Sequence, residues 1–205
     1  MAARLTRILV FAREPVAGSA KTRLIPALGE MGAARLARVM LGHALIEAAK
    51  AEIGPVELVG DPHPDDWDQP VEGVTTSAQV GADLGERMGE SVEQTLARGE
   101  CAVVTGTDCP GLDAARIAEA ARALDGHDVA IIPATDGGYV LIGFARFDQT
   151  IFAGVKWGGE SVLAATLANI EALAWTVWQG APLADIDEPA DLKHVPPSWL
   201  ADGDR

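Results

Sequence analysis

Cysteine, histidine and aromatic residues are all scarce in this chain, and each shortage removes a class of protein. Two cysteines, Cys101 and Cys109, in 205 residues cannot form a disulfide framework, nor can two thiols alone form a zinc site. A reducing cytoplasm is the expected compartment. The four histidines stand at 43, 63, 127 and 194, with no HxxxH or HExxH spacing, so no zinc-hydrolase helix is expected. Basic residues are also short, 16 against 30 acidic, for a net charge of −14. That balance argues against general binding to nucleic acid or to an anionic membrane surface. No apolar run reaches the length of a membrane span. Residues 1–7 are short and basic, but a single strand-length apolar run follows. No signal peptide is expected from it, because the longer hydrophobic region and small-residue cleavage site are missing.

What remains has the composition of an ordinary globular chain. Hydrophobic residues make up 48% and charged residues 22%, so the bulk of the chain is expected to fold. The length fits one domain over 1–205, with the tail from about 196 poorly ordered. Charge is unevenly spread. Residues 1–50 hold 8 basic and 3 acidic residues, whereas residues 51–205 hold 8 basic and 27 acidic. A basic segment in an acidic protein suggests an anion site of limited size, although solvated Arg35 and Arg38 on a helix account for part of it.

Residues 7–12 read as a buried strand, followed by a Pro- and Gly-containing loop over 13–20. A helix is expected over 32–51, with Leu36, Val39, Met40, His43 and Ile46 on one stripe. Strands follow at 56–60 and 73–77, a helix at 83–98, a strand at 100–106 and a helix at 113–124 capped by Asp113. Residues 128–133 and 139–144 are strands joined by Asp136-Gly137-Gly138. A helix over 160–173, a strand over 174–179 and a helical turn over 189–194 complete the chain. Neither repeat nor linker interrupts this order. It implies an α/β fold, a three-layer α/β/α sandwich around a mostly parallel sheet. In such sheets ligands sit at the carboxyl ends of strands, which selects the loops after Ala12, Thr105 and Pro133.

The first of these loops carries Arg13, Gly18, Lys21, Thr22 and Arg23 and opens a helix. Gly18 permits close backbone approach, the cations supply positive charge, and the helix start offers free N–H groups. This suits a phosphate or diphosphate, although a Walker loop needs Gly where the chain has Pro15 and Ala20. The second loop, Gly106-Thr107-Asp108-Cys109-Pro110, places Asp108 just past a hydrophobic strand. One carboxylate there can hold a hard divalent cation and leave positions open for phosphate oxygens. Cys109 beside it reads as a small apolar residue. In the third loop a hairpin turn accounts for Gly137 and Gly138. It does not account for Tyr139, and Asp136 is either a turn residue or an acceptor-binding carboxylate.

Two further segments carry both structural and functional readings. Asp83 with Glu86 forms a capping-box pattern, beside which Arg87 can reach a phosphate and Gln79 a base edge. Asp185-Ile186-Asp187-Glu188-Pro189 reads as a cap at Asp187, with Asp185 or Asp187 as a second metal ligand in the alternative reading. Trp157, ahead of a helix, either stacks on a sugar or base or covers the sheet edge.

Residues 11–24, Phe-Ala-Arg-x-Pro-x-x-Gly-x-x-Lys-Thr-Arg-Leu, resemble the opening signature of a bacterial glycosyltransferase-like family of the GT-A, or nucleotide-diphospho-sugar transferase, fold. Some of its members are labelled arsenosugar biosynthesis glycosyltransferase. Asp83-Leu84-Gly85-Glu86-Arg87-Met88, Gly106-Thr107-Asp108-Cys109-Pro110, Asp136-Gly137-Gly138-Tyr139 and Asp185-Ile186-Asp187-Glu188-Pro189 match later blocks in order, so the resemblance spans roughly residues 6–193. It implies Asp108 as the carboxylate for Mg²⁺ or Mn²⁺ and nucleotide phosphates on the first loop. The family is also similar to phospholactate and molybdenum-cofactor guanylyltransferases. The chain departs from the usual two-acid GT-A metal motif, because Cys109-Pro110 follows Asp108.

The resulting expectation is a metal-dependent transferase acting on a nucleotide-sugar and a small-molecule acceptor. Asp108, Asp136 and Lys21 are its catalytic residues, and Asp108 and Asp187 its metal ligands. Ala12, Arg13, Gly18, Lys21, Thr22, Arg23, Gln79, Asp83, Arg87 and Thr107 are expected at the nucleotide. Asp136, Gly137, Gly138, Tyr139 and Trp157 are expected at the acceptor. The alternatives are a nucleotidylyltransferase that uses a nucleoside triphosphate and releases pyrophosphate, and a nucleotide-binding module without catalysis.

Overall fold

The computed structural model describes residues 4–69 and 71–200. Seven strands form one sheet: β1 (Thr6–Arg13), β2 (Val56–Asp61), β3 (Thr75–Ala78), β4 (Cys101–Thr105), β5 (Val129–Pro133), β6 (Tyr139–Phe144) and β7 (Val177–Gln179). Their order across the sheet is β3-β2-β1-β4-β6-β5-β7. Among these strands only β6 runs antiparallel, against both β4 and β5. The helices are α1 (Ile25–Lys50), α2 (Leu84–Ala97), α3 (Ala114–Ala123), α4 (Val162–Ala172) and the short α5 (Pro197–Leu200).

The strands read as unbroken apolar runs because both sheet faces are covered. Ile8 and Val10 of β1 join Val103, Ala130 and Ile132 beneath α1 and α3. Leu9 and Phe11 join Ala102, Val104 and Ile131 beneath α2, through Met88 and Val92, and α4, through Ile170. Alternation along each strand therefore divides the core into two layers of side chains, which makes the α/β/α sandwich. The polar sequence of β3, Thr-Thr-Ser-Ala, suits its place at the sheet edge.

The expected element order holds, with shifted boundaries. α1 begins at Ile25 and not near residue 32, after a 3-10 turn over Thr22–Leu24, and it breaks at Gly29, whose φ is +69°. Ile46, placed on the apolar stripe, is 54% exposed. His43 is half-buried, with Nε2 at 3.1 Å from the Pro110 carbonyl and its ring against Trp199. β7 is shorter than expected because Ala174 turns the chain at φ +54°. The tail also differs from expectation. Trp199 and Leu200 pack on a small cluster of Leu24, Leu36, Met40, Ile186 and Val195, so residues 196–200 are held against α1. Residues 201–205 lie outside the described residues.

Much of the N-terminal basic charge is structural. Arg7 donates to Glu100 and Glu57 at 2.7 and 3.2 Å. Arg4 and Arg38 donate to the Ala145 and Pro15 carbonyls, Arg35 to that of Leu200, and Lys50 pairs with Glu47. Arg13, Lys21 and Arg23 remain for the strand ends. Among the described residues no helix is long and apolar enough to cross a membrane.

The β5–β6 turn makes one close approach. Gly137 has φ +94°, and a Cβ there would lie 2.1 Å from the Glu160 carbonyl oxygen. Gly137→Ala is expected to lower the unfolding free energy by about 3 kcal/mol, from strain and collision together. Gly154→Ala, at φ +69° with open space around it, should cost about 1 kcal/mol. Urea unfolding of the two variants checks the contrast.

Candidate active site

The carboxyl ends of β1 and β4 point to one edge of the sheet, and antiparallel β6 starts at that same edge with Tyr139. A cleft of about 760 Å³ opens there. Its floor includes Phe11, Val104, Val140 and Ile142. The loop 13–23 borders it on the α1 side, and the N-terminus of α2 with Trp157 borders it on the other. The loops after Ala12 and Thr105 supply much of the lining, as strand-end placement requires. The loop after Pro133 contributes Tyr139, whereas Asp136, Gly137 and Gly138 lie outside the lining. A second groove, about 640 Å³, runs along Val16, Leu28 and Met31 on the α1 flank and shares Glu14 with the cleft.

Lys21 is the centre of the cationic side. Its backbone is left-handed, at φ 47° and ψ 48°. Its ammonium donates to Asp108 Oδ2 at 2.8 Å and to the Ile186 carbonyl at 2.5 Å, and lies 3.8 Å from Asp187 Oδ1. The Lys21 side chain is 9% exposed, while both carboxylates are about half exposed, at 47% and 46%. Asp108 Oδ1 accepts from Thr107 Oγ1, and the Asp108 carbonyl accepts from the Ile186 N–H at 2.8 Å. Arg23 pairs with Asp187. Arg13 is exposed and makes no ion pair among the described residues. Thr22 lines the cleft beside them. Gly18 does not: its φ of +82° serves the turn, next to the Glu30 carboxylate.

Asp187 is not a helix cap. Glu188 caps the following 3-10 turn over Pro189–His194, in a box closed by Asp191. The Asp191 carboxylate accepts from the N–H groups of both Glu188 and Asp187. The Asp187 side chain is thereby left to Arg23 and Lys21. Asp185 is half-buried near Asp136, Asp187 and Asp108. Burial first, then those neighbours, raises its carboxyl above the ordinary aspartate range.

On the opposite side, expected ligand-reading groups are tied into the fold. Gln79 Nε2 donates to the Ala12 and Val59 carbonyls at 3.0 and 3.1 Å. Arg87 donates to Asp61 at 2.8 Å and to the Gly81 carbonyl at 3.1 Å. Asp83 caps α2 through the Glu86 N–H at 2.9 Å. The Glu86 carboxylate reaches the N–H of Ala82, one residue before the cap, and not that of Asp83. Ala12, Gln79, Asp83 and Arg87 all line the cleft.

The residues expected at the acceptor divide. Trp157 lines the cleft and packs on Phe152, with ring centroids 5.5 Å apart, and over Gly85, where a Cβ would lie 2.9 Å from the indole. Tyr139 lines the cleft with its ring, but its hydroxyl is buried away from solvent, and that burial pushes the phenol pKa upward. Asp136 is exposed and accepts from the Gly138 N–H at 2.8 Å, which closes the turn. Sequence reading missed Leu84 and Met88, which line the same side as Trp157. The one signal was an apolar residue placed directly after a helix cap. Among the described residues no group of three or more His, Cys, Asp or Glu side chains could by itself hold a metal ion.

The family described as "Uncharacterized protein conserved in bacteria (DUF2064)" matches residues 44–159. A candidate nucleotide-diphospho-sugar transferase from Desulfovibrio desulfuricans G20 superposes with a TM-score of 0.85 at 30% identity, over 92% of this chain and 85% of that one. The 2-C-methyl-D-erythritol 4-phosphate cytidylyltransferase of Thermus thermophilus gives 0.56 at 14% identity, over 95% and 98% of the two chains. Rv0371c of Mycobacterium tuberculosis H37Rv, in a complex with manganese, gives 0.50 at 16%, over 94% and 98%. The last two likenesses show the shared fold. No curated protein matches the sequence.

Cys109 is buried directly beside Asp108, and burial pushes its thiol up to about 11; burial raises Cys101 as well. Thiol reagents attack the thiolate. In the folded protein at pH 8 both cysteines should therefore resist a chromogenic disulfide reagent and react at the rate of unfolding. Rapid labelling of native Cys109 would show a nucleophile where an apolar residue is assigned.

Proposed function

We propose, from the premise that this chain belongs to the DUF2064 family of bacterial proteins, that it is a glycosyltransferase-like enzyme. It binds a nucleoside-diphosphate sugar in the strand-end cleft and passes the glycosyl group to a small-molecule acceptor. The observation that carries this reading is the convergence of Lys21, Asp108 and Asp187 beside Arg13 and Arg23 at the ends of β1 and β4. The 30% identity to a candidate nucleotide-diphospho-sugar transferase supports it.

In the transfer an acceptor heteroatom forms a bond to the anomeric carbon. The bond from that carbon to the diphosphate oxygen breaks, and its electron pair leaves with the nucleoside diphosphate. The acceptor's proton is released. Arg13, Lys21 and Arg23 stabilise the charge that develops on the departing diphosphate. Asp136, expected to orient the acceptor hydroxyl, lies outside the cleft lining with its carboxylate in the turn bond to Gly138, and no step is assigned to it.

Two carboxylates converge on one cation position, which the Lys21 ammonium fills. That hard oxygen donor set fits Mg²⁺ or Mn²⁺, which Asp108 and Asp187 would hold. A bound ion supplies a counter-charge to the diphosphate. The neighbouring complex of Rv0371c with manganese is in keeping with this assignment.

A second reading, nucleotidyl transfer from a triphosphate with release of pyrophosphate, is favoured by the three cations on one loop. A thermal-shift panel with Mn²⁺ separates the two. A ligand at 100 times its dissociation constant stabilises by about 2.7 kcal/mol. A shift with a nucleoside-diphosphate sugar that is lost in Asp108→Ala is expected. A shift with triphosphates alone would move the assignment to nucleotidyl transfer. Donor binding with no turnover over a broad acceptor panel would leave a binding module.

Lys21→Gln removes the ammonium from between the two carboxylates. In the absence of nucleotide, this variant is expected to bind Mn²⁺ more tightly than the wild type, as read by titration calorimetry or Mn²⁺ resonance. Unchanged affinity would remove Asp108 and Asp187 from the ion's position.

A further inference from the structure

We propose, resting on the glycosyl-transfer reading, that the acceptor is an uncharged molecule that lays a ring or other apolar face against Leu84 and Trp157. The cleft divides by chemistry. Its lysine and two of its arginines belong to the loop 13–23, and among the described residues Arg87 is its only other cation. The side made by the start of α2 and Trp157 presents apolar groups. Leu84, the first residue of α2, is 41% exposed, and Met88, one turn further along and 4% exposed, belongs to the core behind it. Lys156, next to Trp157 in sequence, does not line the cleft.

A phosphorylated or carboxylated acceptor is drawn to a cation, and the one cation on this side, Arg87, already faces a carboxylate. The Arg87 guanidinium is held by Asp61 and the Gly81 carbonyl. The start of α2 carries two carboxylates of its own, Asp83, which accepts from the Glu86 N–H, and Glu86, which accepts from the Ala82 N–H, and their negative charge opposes an anion there. The Tyr139 hydroxyl is buried.

The charge balance of the whole cleft points the same way. Its four cations are matched by four carboxylates, those of Glu14, Asp83, Asp108 and Asp187, so the lining is formally neutral. One divalent ion then offsets a diphosphate donor, and no positive charge is left for an anionic acceptor. Gly85 gives the apolar side its shape, because a Cβ there would press into the Trp157 ring. Rings of sugars and aromatic groups stack on such an indole without any charge of their own.

The test uses matched pairs, phenyl β-glucoside with its 6-phosphate and methyl β-glucoside with its 6-phosphate. Binding to the full-length protein is read by ligand-observed NMR, with and without Mn²⁺ and nucleoside diphosphate. The neutral members are expected to bind at least about tenfold more tightly than their phosphates. Trp157→Ala should weaken them by roughly tenfold, the scale of an aromatic anchor, and Trp157→Phe should restore much of the loss. Leu84→Lys, at an exposed position, places a cation on the apolar side and should shift the preference toward the phosphates. Equal or tighter binding of the phosphates by the wild type would overturn the proposal. So would binding indifferent to Trp157→Ala, or no binding by any member. The nucleotide thermal shift on the same samples separates this outcome from the donor assignment. Ring binding without a donor shift sinks glycosyl transfer, and a donor shift without ring binding sinks the acceptor class.

Discussion

The ammonium of Lys21 lies where three distant segments meet: the loop after β1, the end of β4 at Asp108, and the segment 186–187 that returns late in the chain. A lysine as buried as this one is stable only when its charge is matched, since unpaired burial costs several kcal/mol. The two aspartates and a carbonyl supply the match. Their own mutual repulsion is relieved by the same charge, so none of the three can be removed without exposing the other two. The left-handed backbone of Lys21, which costs roughly 1 kcal/mol outside glycine, is held by this arrangement. The apolar cluster of Leu24, Ile186 and Val195 fixes the approach of the two segments from beneath.

The sheet explains why these groups share one edge. Parallel β1 and β4 run in register up to Val10 and Thr105, and β1 continues beside β2 to Arg13, so both open toward the same edge. β6 inserts antiparallel between β4 and β5, so its first residue and not its last reaches the cleft. The β5–β6 turn is thereby set back, with Gly137 pressed onto the chain ahead of α4, and Asp136 is left outside the lining while the Tyr139 ring is within it. The two faces of the sheet then give the cleft unlike sides. A cationic loop runs toward α1 on one face, and the start of α2, with Leu84 exposed beside the Asp83 cap, lies on the other.

The order of strands and helices, the α/β/α class and the strand-end location of the site were legible in the residues. Apolar runs of strand length alternate with amphipathic stretches, with Arg13 at the end of one strand, Lys21 in the loop that follows it and Asp108 just beyond another. Asp113 as the cap of α3 and Cys109 as a buried neutral thiol were legible for the same reason, since both depend on local chain chemistry. The capping pattern around residue 187 was read one position early. The choice between Asp187 and Glu188 turns on where the Asp191 carboxylate reaches, and both positions carry an acid.

Sequence by itself therefore determined the elements, their order and many of the polar groups that line the cleft, because periodicity, caps and turns act over a few residues. Only the tertiary structure decided which groups are spent and which are free. It committed Gln79 and Arg87 to carbonyls and to Asp61, turned the Tyr139 hydroxyl inward, and brought Asp187 to Asp108 across Lys21. These outcomes depend on contacts between segments far apart in the chain, and no local pattern encodes such distances.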